Sequence, residues 1–226
     1  MPRFLITIIA IIFSLTSCFI PLAEAQSTLT IDGEGAILMD PATGEVLFEQ
    51  NGDKKWFPAS MTKIMTMGLI LEAVEEGLIS LDDEVITSEN AASYGGTQVY
   101  LEPGEIFSLE EMLIAISVGS ANDASVAVAE YYAGTEEAFA ELMTEKAKKL
   151  GATNTNFVNS HGLHHEEHYT TPKDIALISR WAMGIPKMQE LTSIKSYTFR
   201  DEPKLLILYN TNKLLWWYPG TTGLKT

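Results

Sequence analysis

The stretch from Ser60 to Glu76 constrains this chain more than any other. Met61, Ile64, Met65, Met67, Leu69, Ile70, Leu71 and Val74 recur so closely that a helix built from them is apolar on nearly every side, and Gly77 follows as a stop. Such a helix belongs in the middle of a fold, so the rest of the chain must supply elements to surround it. Its first turn nevertheless carries a lysine, Lys63, three residues after Ser60. An ionisable amine on so apolar a helix is where chemistry is to be looked for first.

The surrounding elements can be read in outline. Ala36–Asp40 and Glu45–Glu49 flank Pro41-Ala42-Thr43-Gly44 and predict an N-terminal hairpin. Ser108-Leu109-Glu110-Glu111 is a capping box, and Leu109, Met112, Leu113 and Ile116 continue it as a helix to about Val118. Asn122 or Asp123 can cap a third helix containing Val126, Ala127 and Tyr131. Thr135 opens a fourth on Phe139, Leu142, Met143 and Leu150, stopped by Gly151. Thr171-Pro172 with Asp174 starts a fifth on Ile175, Ile178 and Trp181. Ser196–Phe199 and Leu205–Tyr209 then turn to strand character. The fold class is α/β in the α+β sense: an antiparallel sheet built from both chain ends with a helical cluster packed on it. No internal repeat, low-complexity linker or domain boundary interrupts this order.

Composition narrows the function. Fifteen basic against 30 acidic residues give a formal charge of −15, which excludes nucleic acid as a partner and disfavours an anionic membrane surface. Cys18 is the one cysteine, so no internal disulfide, thiolate zinc cluster or CxxC redox pair can form, and chemistry falls to oxygen and nitrogen side chains. Arg3, the apolar run Phe4–Phe13 and Ala23-Glu24-Ala25 read as a signal peptide over residues 1–25, cleaved to leave Gln26 first. An uncleaved anchor, or lipid attachment at Cys18 after Leu15-Thr16-Ser17, are the alternatives. The expectation is an exported protein whose domain is 26–226.

Three short motifs carry the chemistry. Ser60-Met61-Thr62-Lys63 puts a hydroxyl and an amine on one helix face, a nucleophile beside a base; burial and the positive helix end both favour the neutral amine. A serine cap with a lysine reaching to the surface is the plain alternative. Ser120-Ala121-Asn122 falls between two helices, where it either lines a cleft or merely caps them. Lys225-Thr226 follows Pro219-Gly220 in a stretch that could be an edge strand. A different reading is metal chemistry: all four histidines lie in His161–His168, and His164-x-x-Glu167-His168 matches a zinc-peptidase pattern. Gly162 and the start of the next helix only at Thr171 argue for a solvated polar loop instead, with no metal ligands.

Ser-x-x-Lys, Ser-x-Asn and Lys-Thr in that order form the signature set of penicillin-binding proteins and serine β-lactamases. The sequence resembles the low-molecular-mass D-alanyl-D-alanine carboxypeptidases over residues 30 to 226, including Pro41–Gly44, Pro58-Ala59-Ser60, Asn159-Ser160-His161-Gly162-Leu163 and Tyr169-Thr170-Thr171. The resemblance implies a β-lactamase/transpeptidase-like fold and an acyl-enzyme on Ser60, with Lys63 accepting its proton and Ser120 and Lys225 passing one to the departing D-alanine. Asn122 would bind the substrate amide, Thr226 the terminal carboxylate, and the Ser60 N–H would supply half an oxyanion hole. It implies no cofactor. The implied partners are peptidoglycan stem peptides ending in D-Ala-D-Ala and β-lactams, met in the periplasm or at the outer face of the cytoplasmic membrane. The family motif is Lys-Thr-Gly, and the chain stops at Thr226. The C-terminal strands, a small β-rich domain and a membrane anchor are therefore expected in a longer protein, and membrane contact only through them. A β-lactamase, a D,D-endopeptidase or a penicillin-reactive protein without turnover shares the first steps. A Glu-x-x-Leu-Asn loop, the water-activating element of class A β-lactamases, does not occur between Asn122 and Lys225.

Overall fold

A computed structural model describes residues 31–225. The signal-peptide, Cys18 and Thr226 expectations lie outside the described residues. The first hairpin pairs β1 (Ala36–Met39) with β2 (Val46–Gln50), antiparallel, across the predicted turn. Gly44 there has φ +80, and the Arg180 guanidinium clamps the turn through the Pro41 and Ala42 carbonyls at 2.8 and 3.0 Å. A short 3-10 turn, Ala59–Met61, leads into α1 (Thr62–Glu75), and Gly77 at φ +70 ends it.

Between α1 and the capping box lie elements that the sequence did not announce: β3 (Glu84–Ile86), α2 (Glu89–Ser93) and β4 (Ile106–Ser108), with β3 and β4 antiparallel. Three-residue strands are too short to display an alternation. The capping box itself is complete: in α3 (Leu109–Gly119) the Glu111 N–H donates to Ser108 Oγ at 3.2 Å and the Ser108 N–H to Glu111 Oε2 at 2.9 Å. Thr135 caps α5 (Glu136–Lys149) and Thr171 caps α6 (Pro172–Met183), each as expected. The third expected helix, α4 (Asn122–Ala133), has no side-chain cap. Asp123 instead turns its buried carboxylate to the Val99 and Leu101 N–H groups at 3.1 Å, pinning the loop before β4. After α6 come α7 (Pro186–Ser193), β5 (Ser196–Arg200), β6 (Leu206–Tyr209) and the one-turn α8 (Leu214–Trp217).

The central position of α1 follows from its sequence. Met65, Met67, Ile70 and Leu71 are buried, and α3, α4, α5, α6 and α7 pack around it. The six-membered ring of Trp181 lies so close to Gly68 that a Cβ there would come within 2.5 Å of it, which brings α6 tight against α1. Antiparallel strands at both ends with helices between them match the expected class. Among the described residues the two end hairpins are nevertheless separate two-stranded sheets, not one continuous sheet. Each packs on its own helix, β1 on α6 and the β5–β6 pair on α3. Residues 221–225, read as a possible edge strand, form no ladder; Gly223–Lys225 face β1 across a groove of about 580 Å³ that Ile64 and Ile175 also line.

Candidate active site

Ser60 sits on the turn that enters α1, and that turn is held from two sides. The Trp56 N–H and carbonyl exchange hydrogen bonds with Thr170 at 2.8 and 2.9 Å, which fixes the lead-in segment against the chain just before α6. Ala59 adopts φ +48, a conformation uncommon for residues with a Cβ and concentrated at functional positions. Against its carbonyl packs Gly162: a Cβ on Gly162, where φ is +91, would stand 1.8 Å from the Ala59 oxygen. Only glycine allows the Asn159–Leu163 loop to approach the nucleophile turn this closely.

Lys63 is fully buried. Its Nζ donates to Asn122 Oδ1 at 2.7 Å and to the His161 carbonyl at 2.6 Å, and lies 3.5 Å from Ser60 Oγ. A neutral amine has two N–H donors and one lone pair. With both donors on carbonyl oxygens, the lone pair is left for the Ser60 hydroxyl. The charge state agrees: burial, helped by the positive charge of Lys225 and opposed by Asp123, brings the Lys63 pKa down to about 7. The alternative of a lysine reaching to the surface is thereby excluded.

Ser120 caps the end of α3, whereas Asn122 opens α4 without capping it. Ser120 ends α3 in the left-handed region, at φ +59, and its hydroxyl donates to Ser60 Oγ at 3.1 Å. Asn122 opens α4; besides accepting from Lys63 it donates through Nδ2 to the Gly95 carbonyl at 2.9 Å, so its carboxamide is engaged at both ends. The carboxamide thus orients Lys63, a task the sequence did not indicate. Lys225 is buried with its pKa lowered to about 8 by burial, close enough for its charge to bear on Lys63.

The histidine segment is an exposed loop from Leu163 to Glu167, as expected, but its two end histidines are not solvated. It has no helix, and His161 and His168 are buried and held neutral, each with a pKa lowered to about 4 by burial. His168 accepts from the Val158 N–H at Nδ1 (3.1 Å) and so donates from Nε2 to Thr62 Oγ1 (2.7 Å). His164 instead packs edge-on against Phe57, so His164, Glu167 and His168 do not converge as ligands, and no cluster of three such residues is found among the described residues.

The sequence profile of the family described as D-alanyl-D-alanine carboxypeptidase (Peptidase_S11) matches residues 22–226. The chain belongs to the D-alanyl-D-alanine carboxypeptidase family. It is 43% identical to the D-alanyl-D-alanine carboxypeptidase DacF of Bacillus subtilis over its whole length, and 37% identical to DacC of Escherichia coli over 83% of it. It spans 59% and 48% of the lengths of those relatives. Among solved structures, the carboxypeptidase DacD of Francisella tularensis superposes with a TM-score of 0.82 at 30% identity, covering 88% of this chain and 60% of that one. Penicillin binding protein 5 of Haemophilus influenzae gives 0.82 at 31%, covering 88% and 58%. The shared fold is therefore that of the penicillin-binding proteins.

Proposed function

We infer that this chain is the serine-peptidase part of a D-Ala-D-Ala carboxypeptidase that removes the terminal D-alanine of peptidoglycan stem peptides and is acylated by β-lactams. The observation that carries the reading is the Lys63 amine, poised near neutrality with both donors engaged and Ser60 Oγ within its reach. Ser60 Oγ attacks the carbonyl of the penultimate D-alanine while its proton passes to Lys63 Nζ. The C–N bond then breaks, and the departing amine takes a proton supplied through Ser120, with Lys225 beside the cleft as its cationic partner. The product is an ester on Ser60. Water hydrolyses it, releasing the shortened peptide and restoring the serine. The Ser60 N–H at the start of α1 contributes to stabilising the oxyanion, and Asn122 keeps one Nδ2 hydrogen for the substrate amide. Thr226 would receive the terminal carboxylate.

Residues 1–25 act as an export leader in this reading, and the protein works outside the cytoplasmic membrane, where peptidoglycan is found. The domain starting at residue 26 continues past Thr226, in keeping with the 59% of the Bacillus subtilis relative that the chain spans. Among the described residues no helix is long and apolar enough to cross a membrane.

The test is D-alanine release from a peptide ending in D-Ala-D-Ala, by the 226-residue chain and by a longer form matching its relatives in length, each with Ser60→Ala beside it. Release that requires Ser60, with slow turnover of penicillin, is expected. Rapid nitrocefin hydrolysis without D-alanine release would make the protein a β-lactamase instead.

A further inference from the structure

One buried carboxylate lies outside the three motifs and contacts residues adjoining both groups that hold Lys63. Glu136, in the first turn of α5, is buried. Its Oε1 accepts from the Ser160 N–H at 2.9 Å and the Ser160 hydroxyl at 2.6 Å, and the His161 ring approaches it to 3.3 Å at Nε2. The backbone carbonyl of the same His161 accepts from Lys63. The other oxygen, Oε2, accepts from the Tyr94 hydroxyl at 2.8 Å. Tyr94 precedes Gly95, whose carbonyl takes the Asn122 Nδ2 proton, and Asn122 Oδ1 is the second acceptor of Lys63. Two arms thus leave one carboxylate and converge on the two N–H groups of the same amine. The Tyr94 and His161 rings meet 4.8 Å apart, which closes the cluster between the arms. Thr66, one turn along α1 from Lys63, adds a 2.6 Å hydrogen bond to the Ser160 carbonyl.

We propose that Glu136 is a positioning residue for Lys63, aiming the amine lone pair at Ser60 by fixing the His161 carbonyl through one oxygen and the Gly95–Asn122 pair through the other. This rests on the acyl-serine reading above, but its first consequence can be measured without any reaction. Slackening either arm frees an N–H of Lys63 and admits water to a site whose dryness keeps the amine neutral. The other charges facing Lys63, those of Lys225 and Asp123, stay in place. Glutamine at position 136 can still accept from Ser160 and can donate to the Tyr94 oxygen, so it preserves both arms.

The experiment follows the Lys63 titration by NMR of lysine labelled at Cε, together with the rate of Ser60 acylation by a fluorescent penicillin. Both are measured in Glu136→Gln, Glu136→Ala and Tyr94→Phe, with folding checked by circular dichroism. Expected are a Lys63 midpoint moved upward by a pH unit or more in Glu136→Ala and a smaller rise in Tyr94→Phe. Acylation should fall about 100-fold and about 10-fold respectively, as for a reacting group displaced by about 1 Å, with Glu136→Gln within about threefold of the parent. Tyr94→Phe removes a single hydroxyl and so tests one arm even if the alanine variant does not fold. An unmoved Lys63 midpoint with undiminished acylation in the folded variants would overturn the proposal. A moved midpoint in a protein whose parent never acylates would leave Glu136 as the positioning residue and overturn the acyl-serine reading instead.

Discussion

Replacing Gly162 by alanine separates two effects that a glycine can have. At φ +91 any Cβ carries a backbone cost of about 1–2 kcal/mol, and Gly151, at φ +86 with nothing within 4 Å of its would-be Cβ, isolates that cost. Gly162 adds a collision: its Cβ would stand 1.8 Å from the Ala59 oxygen, against about 3.4 Å for ordinary contact, so loop or nucleophile turn must give way by about 1.6 Å. Ser60 follows Ala59 directly, and the loop also carries the His161 carbonyl that holds Lys63. A displacement of about 1 Å in a catalytic group costs on the order of 100-fold in rate. Gly151→Ala is therefore expected to lose about 1 kcal/mol in urea denaturation and to acylate normally. Gly162→Ala should lose more stability and acylate about 100-fold more slowly, read by stopped-flow labelling with a fluorescent penicillin. Equal stability loss in the two variants, with parental acylation in Gly162→Ala, would refute the close-packing argument.

Other outcomes follow from the same geometry. Lys63 must be neutral to accept the proton and Lys225 charged to assist, so acylation should rise with pH through about 7 and fall through about 8; a profile flat from pH 6 to 9 contradicts the assignment. Lys63→Met keeps volume but leaves Asn122 Oδ1 and the His161 carbonyl without their donor, so it should lose about 1–3 kcal/mol in urea denaturation while acylation drops 100- to 10,000-fold, an order set by general-base catalysis. His161 and His168 have folded pKa values of about 4, below the unfolded value near 6.5, so the unfolded chain binds more protons between those limits and stability falls as pH drops through that window. The loss is about 2 kcal/mol for each by pH 5, read from urea midpoints, and His168→Gln should flatten the slope. Ser108→Ala removes the α3 cap and should cost about 1 kcal/mol without touching acylation.

What the sequence made legible is what local chemistry encodes. The all-round apolar pattern fixed α1 at the centre, and Ser108 with Glu111, Thr135, and Thr171-Pro172 marked three helix starts from their caps. Ser60, Lys63, Ser120 and Asn122 were named by motif and meet in the structure. The β3–β4 pair and α2 are too short to show a period, and α7 and α8 carry no side-chain cap. The one-sheet expectation treated strands at both chain ends as partners, whereas each hairpin found a helix of its own to cover it. Asp123 read as a helix cap because its partners, the Val99 and Leu101 amides, lie 22 to 24 residues away. The histidine run is solvated from Leu163 to Glu167 as read, but nothing in its composition announces that Thr62 and Val158 would claim His168 at its end. The His161 contribution to the site is a backbone carbonyl, which no side-chain motif can reveal.

The central claim is that Lys63 activates Ser60 for acyl transfer, and intact mass after incubation with penicillin tests it most directly, with peptide mapping of the adduct. The account predicts a single covalent adduct on Ser60, absent in Ser60→Ala and strongly slowed in Lys63→Met, in the 226-residue chain or in a form extended to the length of its relatives. A folded, extended protein that takes no adduct, or takes one on another residue, contradicts it.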